Sequence, residues 1–231
     1  MIKGRKRLFV LFISMIMGMQ LCLTGCSKDD GGNVNPENKK AVEQAKAYNE
    51  SGKKPLATIV IKDFGTIKVE LYPECAPQTV YSFISLANSG FYNGLTIHRI
   101  AKNFVVQGGD PDGNGRGGPG YSIKGEFAIN GFEFNSIKHE KGVISMARSN
   151  DYDSAGSQFF LVLETSSGVT KSLDLKYAAF GRTVEGLEVL DSLNKVEVTD
   201  ETPKEKVIIE SISVDTFGDT YPEPNKLNAE R

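Results

Sequence analysis

The sequence is poor in the side chains that most enzymes use to move protons, hold metals or carry acyl groups. It has two histidines, three cysteines and no tryptophan in 231 residues. His98 and His139 stand in different neighbourhoods, and without a His-x-x-x-His or Cys/His cluster a catalytic zinc would lack ligands, so no metal and no cofactor is expected. No serine occupies a Gly-x-Ser-x-Gly elbow, which leaves hydrolysis by Ser145 or Ser157 without its usual signature. Basic excess is missing too: 27 Lys and Arg face 29 Asp and Glu. Lys3, Arg5, Lys6 and Arg7 stand in the first seven positions, so the rest of the chain is acidic. With no basic stripe to displace counterions, nucleic acid is not an expected partner. Heptads, repeats and long charge blocks are absent, and the length suits one sizeable domain.

Two glycine-rich patterns mislead. Gly113 to Gly118 satisfies G-x-G-x-x-G, but it runs into Pro119-Gly120 instead of opening a helix, so no helix N-terminus could receive a pyrophosphate. Asp110 to Gly115 begins like a calcium loop, yet its twelfth position is Tyr121 rather than a closing glutamate. A loop at the rim of a site is the better reading.

The amino terminus reads as targeting sequence: a basic start, an apolar run from Leu8 to Met19, then Leu23-Thr24-Gly25-Cys26. That ending resembles the lipobox of bacterial lipoproteins. It implies a signal peptide over residues 1–25, acylation of Cys26, and an extracytoplasmic chain anchored to a bacterial membrane without crossing it. With Cys22 removed and Cys26 acylated, no disulfide framework is expected, and Cys75 reads as a small buried residue. Residues 26–54 are polar and predict a flexible or weakly helical tether, with a brief helical possibility around Ala41 to Tyr48.

From Leu56 the pattern alternates, giving two strands joined at Asp63-Phe64-Gly65. Pro77 opens a helix whose face is Val80, Phe83, Ile84 and Ala87, ending at Gly90. A second helix is predicted from Val184, Leu187, Leu190 and Leu193. Short apolar runs lie between them: Leu95 to Ile100, Phe104 to Gln107, Gly142 to Ala147 and Gln158 to Leu163. Many short strands with two helices suggest a mainly β domain over residues 55–216, a closed antiparallel barrel capped at its ends. Residues 217–231, with two prolines and no apolar period, predict a loose tail.

What remains is a constellation without acid, base or nucleophile: Ile97-His98-Arg99-Ile100, Phe104-Val105-Val106-Gln107-Gly108-Gly109-Asp110, and Gly156-Ser157-Gln158-Phe159-Phe160. With Gly142 to Ala147 and Ala179-Phe180-Gly181, in order and at compatible spacing, these resemble the signature stretches of cyclophilins, the cyclosporin-binding peptidyl-prolyl isomerases. The resemblance covers Leu56 to Val214 and implies an eight-stranded antiparallel barrel with two capping helices. It implies an activity as well, cis/trans isomerisation of X-Pro bonds, with proline-containing unfolded polypeptides as partners and a monomeric enzyme.

Its site would comprise Arg99, Phe104 and Gln107 as the catalytic group. Arg99 would be the donor to the prolyl amide and Gln107 would orient it, while Phe104, Val105, Phe160 and Leu173 would surround the proline ring, with Tyr177 a further substrate-binding residue. Gly115, Ala147, Arg148 and Gln158 would border the peptide groove. Arg148 is expected to act through its backbone. His98, beside Arg99 on a strand, should face the other way and be structural. The chain departs from the family in three places: Val105 where methionine is frequent, Tyr177 where histidine is frequent, and Ser172 where the cyclosporin-contacting tryptophan commonly stands. Glu164 to Lys171 is lengthened. Weak cyclosporin binding follows. The alternative reading is a proline-peptide binding module or holdase with little turnover, which would gain little from a donor at the slot.

Overall fold

The computed structural model describes residues 34–164 and 170–228; Cys26, the signal segment and residues 165–169 lie outside the described residues. Helix α1 (Pro36–Ala47) precedes the first strands, β1 (Leu56–Ile61) and β2 (Gly65–Leu71). The alternation works as predicted, burying Ala57, Ile59 and Ile61 on one strand and Ile67, Val69 and Leu71 on the other. Helix α2 (Pro77–Asn88) follows, then β3 (Thr96–Ile97), β4 (Arg99–Ala101) and β5 (Val105–Gly108). After a long irregular passage come β6 (Val143–Met146), β7 (Phe159–Val162), β8 (Ala179–Glu185), α3 (Leu187–Leu193), the short pair β9 (Val198–Thr199) and β10 (Thr202–Pro203), and β11 (Val207–Asp215).

Nine strands form one antiparallel sheet in the order β3-β11-β1-β2-β8-β6-β7-β5-β4. Its two ends, β3 and β4, are consecutive halves of a single passage broken only at His98. The first half pairs with β11 and the second with β5, so this passage draws the sheet into a nearly closed barrel. Counting that passage once gives the eight strands that the resemblance implies; counting the break gives nine.

Inside the barrel lies the main core, including Ile59, Ile67, Ile100, Val106, Ile144, Leu161 and Phe180. Helix α2 closes one end. Phe83 sits on the rings of Phe180, Tyr92 and Phe159 at centroid distances of 5.2, 5.4 and 5.7 Å. Burying each such side chain contributes about 1.5–3 kcal/mol. Ala76, at the head of α2, has no side chain to cap it. Glu126 does so from afar, accepting from the Gln78 amide (2.9 Å), the Thr79 amide (2.8 Å) and the Thr79 hydroxyl (2.7 Å). Burial pushes the Glu126 carboxyl up to about 7 despite these donors.

The structure differs from the sequence expectations in four places. A third helix, α1, stands within residues 26–54, where the expectation is a flexible or weakly helical tether with a brief helical possibility around Ala41 to Tyr48. It is docked: Val42 and Ala45 are buried, and Asn38 donates to Gly131 O (2.7 Å) and Glu133 Oε2 (2.8 Å). The predicted loose tail is laid against the body, with Tyr221 packed on Tyr48 and Tyr81 and Leu227 bridged to Ser122. Helix α3 starts later than its periodicity suggested. Val184 belongs to β8, and the buried face is Val189, Leu190 and Leu193. Gly186 is the reason: at φ +90 a Cβ there would lie 2.3 Å from Thr66 O, so the chain crosses β2 at this point before it can coil. Finally, Cys75 is fully buried and disulfide-bonded, where no disulfide was expected.

Candidate functional site

The outer face of β4, β5, β7 and β6 carries a second apolar cluster separate from the barrel interior. Register explains its membership. Arg99 pairs with Gln107, Gln107 with Phe160 and Phe160 with Ser145, so these four side chains share one face across four strands. Two residues along, Ala101, Val105 and Val162 form the next row on that face. Val105, Phe160 and Leu173 are buried there, with Phe104, Ala147 and Tyr177 packed against them half-buried. The predicted ring-binding side chains therefore lie together outside the barrel, where an ordinary core role would have put them inside.

Two layers hold Phe160 in place. Tyr177 meets it edge-on at 5.8 Å, and the His139 ring stacks behind it at 5.9 Å. His139 Nδ1 lies 3.0 Å from Asp174 Oδ1 and Nε2 lies 3.1 Å from Ser145 Oγ. This Ser-His-Asp order resembles a nucleophile relay, but Ser145 and His139 are sealed beneath Phe160, at 0% and 3% exposure. No substrate carbonyl could reach the hydroxyl, so the chain serves as a prop. Burial lowers the His139 pKa, outweighing the pull of Asp174 in the other direction.

At the open edge of the cluster stands Arg99. Its Nη1 donates to Gln107 Oε1 (3.2 Å), Gln107 Nε2 donates to Gln158 Oε1 (2.9 Å), and Gln158 Nε2 donates to Gly117 O (2.9 Å). One amide relay thus runs from the guanidinium to the glycine-rich loop. Arg99 has a second partner that sequence reasoning missed: Nε donates to Glu201 Oε2 at 2.6 Å. Glu201 belongs to the β9–β10 hairpin, 102 positions away, and no local pattern marks it.

The glycine-rich loop is organised by Asp110, whose carboxylate accepts from the amides of Asp112, Asn114 and Gly115. Burial pushes this carboxyl up, but the three amides outweigh it and hold it below the usual carboxylate range. The loop's donors are thus turned inward onto its own aspartate, which suits neither a nucleotide phosphate nor a calcium ion. Gly109 permits the approach: at φ +83, a Cβ would meet Ser157 O at 2.4 Å. Among the described residues, no three His, Cys, Asp or Glu side chains converge as a metal site requires.

A groove of about 420 Å³ continues from the relay, and Gln107, Gly115, Ala147, Arg148 and Gln158 all line it. The structure therefore brings every predicted groove residue to one surface. Arg148 uses its side chain more than expected. Its guanidinium lies over the rings of Tyr177, Tyr152 and Phe127, at 4.6, 4.8 and 5.3 Å, and donates to Lys176 O and Ser149 O. It ties the groove wall to the wall of the apolar slot. His98 does face away from Arg99, lining a separate cavity with Asp110 and Thr202. Cys26 lies outside the described residues.

Residues 56–214 match the family model described as cyclophilin type peptidyl-prolyl cis-trans isomerase/CLD. Peptidyl-prolyl cis-trans isomerase B of Bacillus subtilis is 44% identical over 142 residues, 62% of this chain and 92% of that protein. Human peptidyl-prolyl cis-trans isomerase-like 3 is 40% identical over 158 residues, 66% of this chain and 91% of that protein. Among solved structures, a Cryptosporidium parvum cyclophilin type isomerase crystallised in the presence of the dipeptide Ala-Pro superposes with a TM-score of 0.62 at 29% identity, covering 69% of this chain and 98% of that one.

Proposed function

The chain belongs to the cyclophilin-type peptidyl-prolyl cis-trans isomerases, and from that premise we propose that it turns X-Pro bonds of secreted or envelope polypeptides with Arg99 as the donor that breaks amide resonance. Rotation about such a bond cleaves nothing; it must only overcome a barrier of about 18–20 kcal/mol set by the partial double bond. As the amide twists, the prolyl nitrogen regains a lone pair. A permanently charged planar donor can meet that lone pair and the neighbouring carbonyl without titrating. Phe104, Val105, Phe160, Leu173 and Tyr177 would clamp the ring while the amino-terminal side turns, and the groove lined by Gly115, Ala147, Arg148 and Gln158 would hold the chain preceding it.

The observation that carries this reading is the Arg99–Gln107 hydrogen bond at the mouth of the apolar slot. A donor oriented in advance costs little reorganisation when charge shifts in the transition state, a contribution of about 3–4 kcal/mol by analogy with oxyanion-hole donors. Replacing Arg99 by Ala should therefore lower turnover about a hundredfold in a protease-coupled proline-peptide assay, with the melting temperature little changed. Near-normal turnover would refute the assignment. It would favour instead a binding module or holdase that grips proline segments without accelerating their rotation.

The setting is part of the proposal. The Leu23-Thr24-Gly25-Cys26 ending supports acylation at Cys26 and attachment to the outer face of a bacterial membrane, in a mature form from which the Cys75 disulfide would have to be absent, since Cys22 and Cys26 are the other cysteines of the chain. There, chains arriving unfolded would meet slow proline steps of tens of seconds or more.

A further inference from the structure

We propose that Glu201 is a positioning residue for the isomerase reaction, holding the Arg99 guanidinium in the plane from which it addresses the slot; this rests on the donor role given to Arg99 above. A guanidinium has five N–H donors in one rigid fork. Here Glu201 takes the Nε donor at 2.6 Å and Gln107 takes one on Nη1 at 3.2 Å. Two acceptors on different elements fix both the direction and the tilt of the plane, which neither could do alone. The remaining donors are left to the substrate.

The hairpin that bears Glu201 is built for this placement. Its two-residue loop is Asp200-Glu201, between the paired residues Thr199 and Thr202. Both loop residues have positive φ, 49° and 65°. That is the pattern of a type I′ turn, whose usual occupants are Asn and Gly. Glutamate is a poor choice for such backbone, so the turn itself does not explain its presence. Nor does docking of the hairpin, since Ile100 N donates to the backbone oxygen of Glu201 at 2.7 Å and any residue would supply that oxygen. What only this side chain supplies is a carboxylate, anchored by its own backbone to the residue next to the arginine it holds.

A carboxylate beside a donor also tempers the positive field at the slot, so its removal has two opposing consequences for rate. The sign of the change decides between them. In the full chain, Glu201→Asn keeps a residue that favours the left-handed backbone and removes the anchor. If positioning dominates, kcat falls about fivefold with KM within about twofold of wild type, while the melting temperature stays level or rises. Glu201→Gln, which retains an acceptor without charge, should recover part of the loss. Adding Glu201→Asn to an Arg99→Ala background should have no further effect, because the carboxylate acts only through the guanidinium. An unchanged or increased kcat in Glu201→Asn, or an equal loss in the Arg99→Ala background, overturns the proposal. If Arg99→Ala itself turns over normally, it is the donor assignment that fails; if Arg99→Ala is deficient and Glu201→Asn is not, only the positioning role falls.

Discussion

Arg99 divides its guanidinium between an amide on the barrel and a carboxylate on a hairpin, while the slot beside it is walled by side chains of unequal reach. Val105 is short where a longer thioether would narrow the slot, and Tyr177 offers both an apolar edge against Phe160 and a polar tip. Ser172, in the turn leading to Leu173, is exposed and contributes almost no apolar area. A cyclic apolar ligand such as cyclosporin would lose there the large flat contact that an indole provides. Ser172→Trp should accordingly tighten cyclosporin binding about tenfold or more, measured by calorimetry, because aromatic anchors carry a disproportionate share of such interfaces; an unchanged affinity would remove Ser172 as a determinant of cyclosporin affinity. At this scale the site was largely legible in the sequence. Arg99, Phe104, Gln107, Gln158 and Phe160 fall within short contiguous stretches whose order and spacing are distinctive. Glu201 was not legible, because an acidic residue in a polar turn looks like solvated surface until the fold brings it to Arg99. The ring contacts of the Arg148 side chain were not legible for a similar reason: its rings come from three separate segments.

Among the elements, α2 depends on a cap it does not itself encode. Gln78 and Thr79 point their amides at Glu126, and burial raises that carboxyl to about 7. A folded-state pKa above the unfolded value means that the native state holds the proton more tightly. The resulting stabilisation is complete below about pH 4.5 and is lost as pH rises through about 7, for a total of up to about 3 kcal/mol. Urea unfolding of wild type and Glu126→Gln at pH 5 and pH 7.5 should show this part of the pH dependence in the wild type and its absence in the variant; equal slopes would contradict a buried, proton-holding Glu126. The sequence located α2 from its period of apolar residues but could not locate its cap, which comes from 47 positions downstream. Helix α1 showed only as a brief helical possibility over Ala41 to Tyr48, and its docking was not legible for the opposite reason. It has few apolar residues and docks in part through Asn38 and Asn35 onto Glu133, contacts that composition cannot announce.

The whole molecule is shorter on its leash than a 29-residue tether over residues 26–54 would make it. With α1 packed on the body, eight positions separate Cys26 from Val34, the first described residue. Eight residues span at most about 28 Å at full extension. If Cys26 carries the anchor, the isomerase domain works close to the bilayer surface. Labelled palmitate should then enter the wild-type chain, and Cys26→Ser should abolish the label and release the protein into the soluble fraction; label retained in the variant would rule out that cysteine.

The passage from Thr96 to Ala101 has one more consequence. It is the seam of the barrel, stitched to β11 on one side and β5 on the other, and it carries Arg99. A slackened seam would blunt the enzyme before the rest of the molecule had come undone. Turnover would then report how well the cylinder is sewn shut, fading in the earliest stages of unfolding while most of the barrel stays intact.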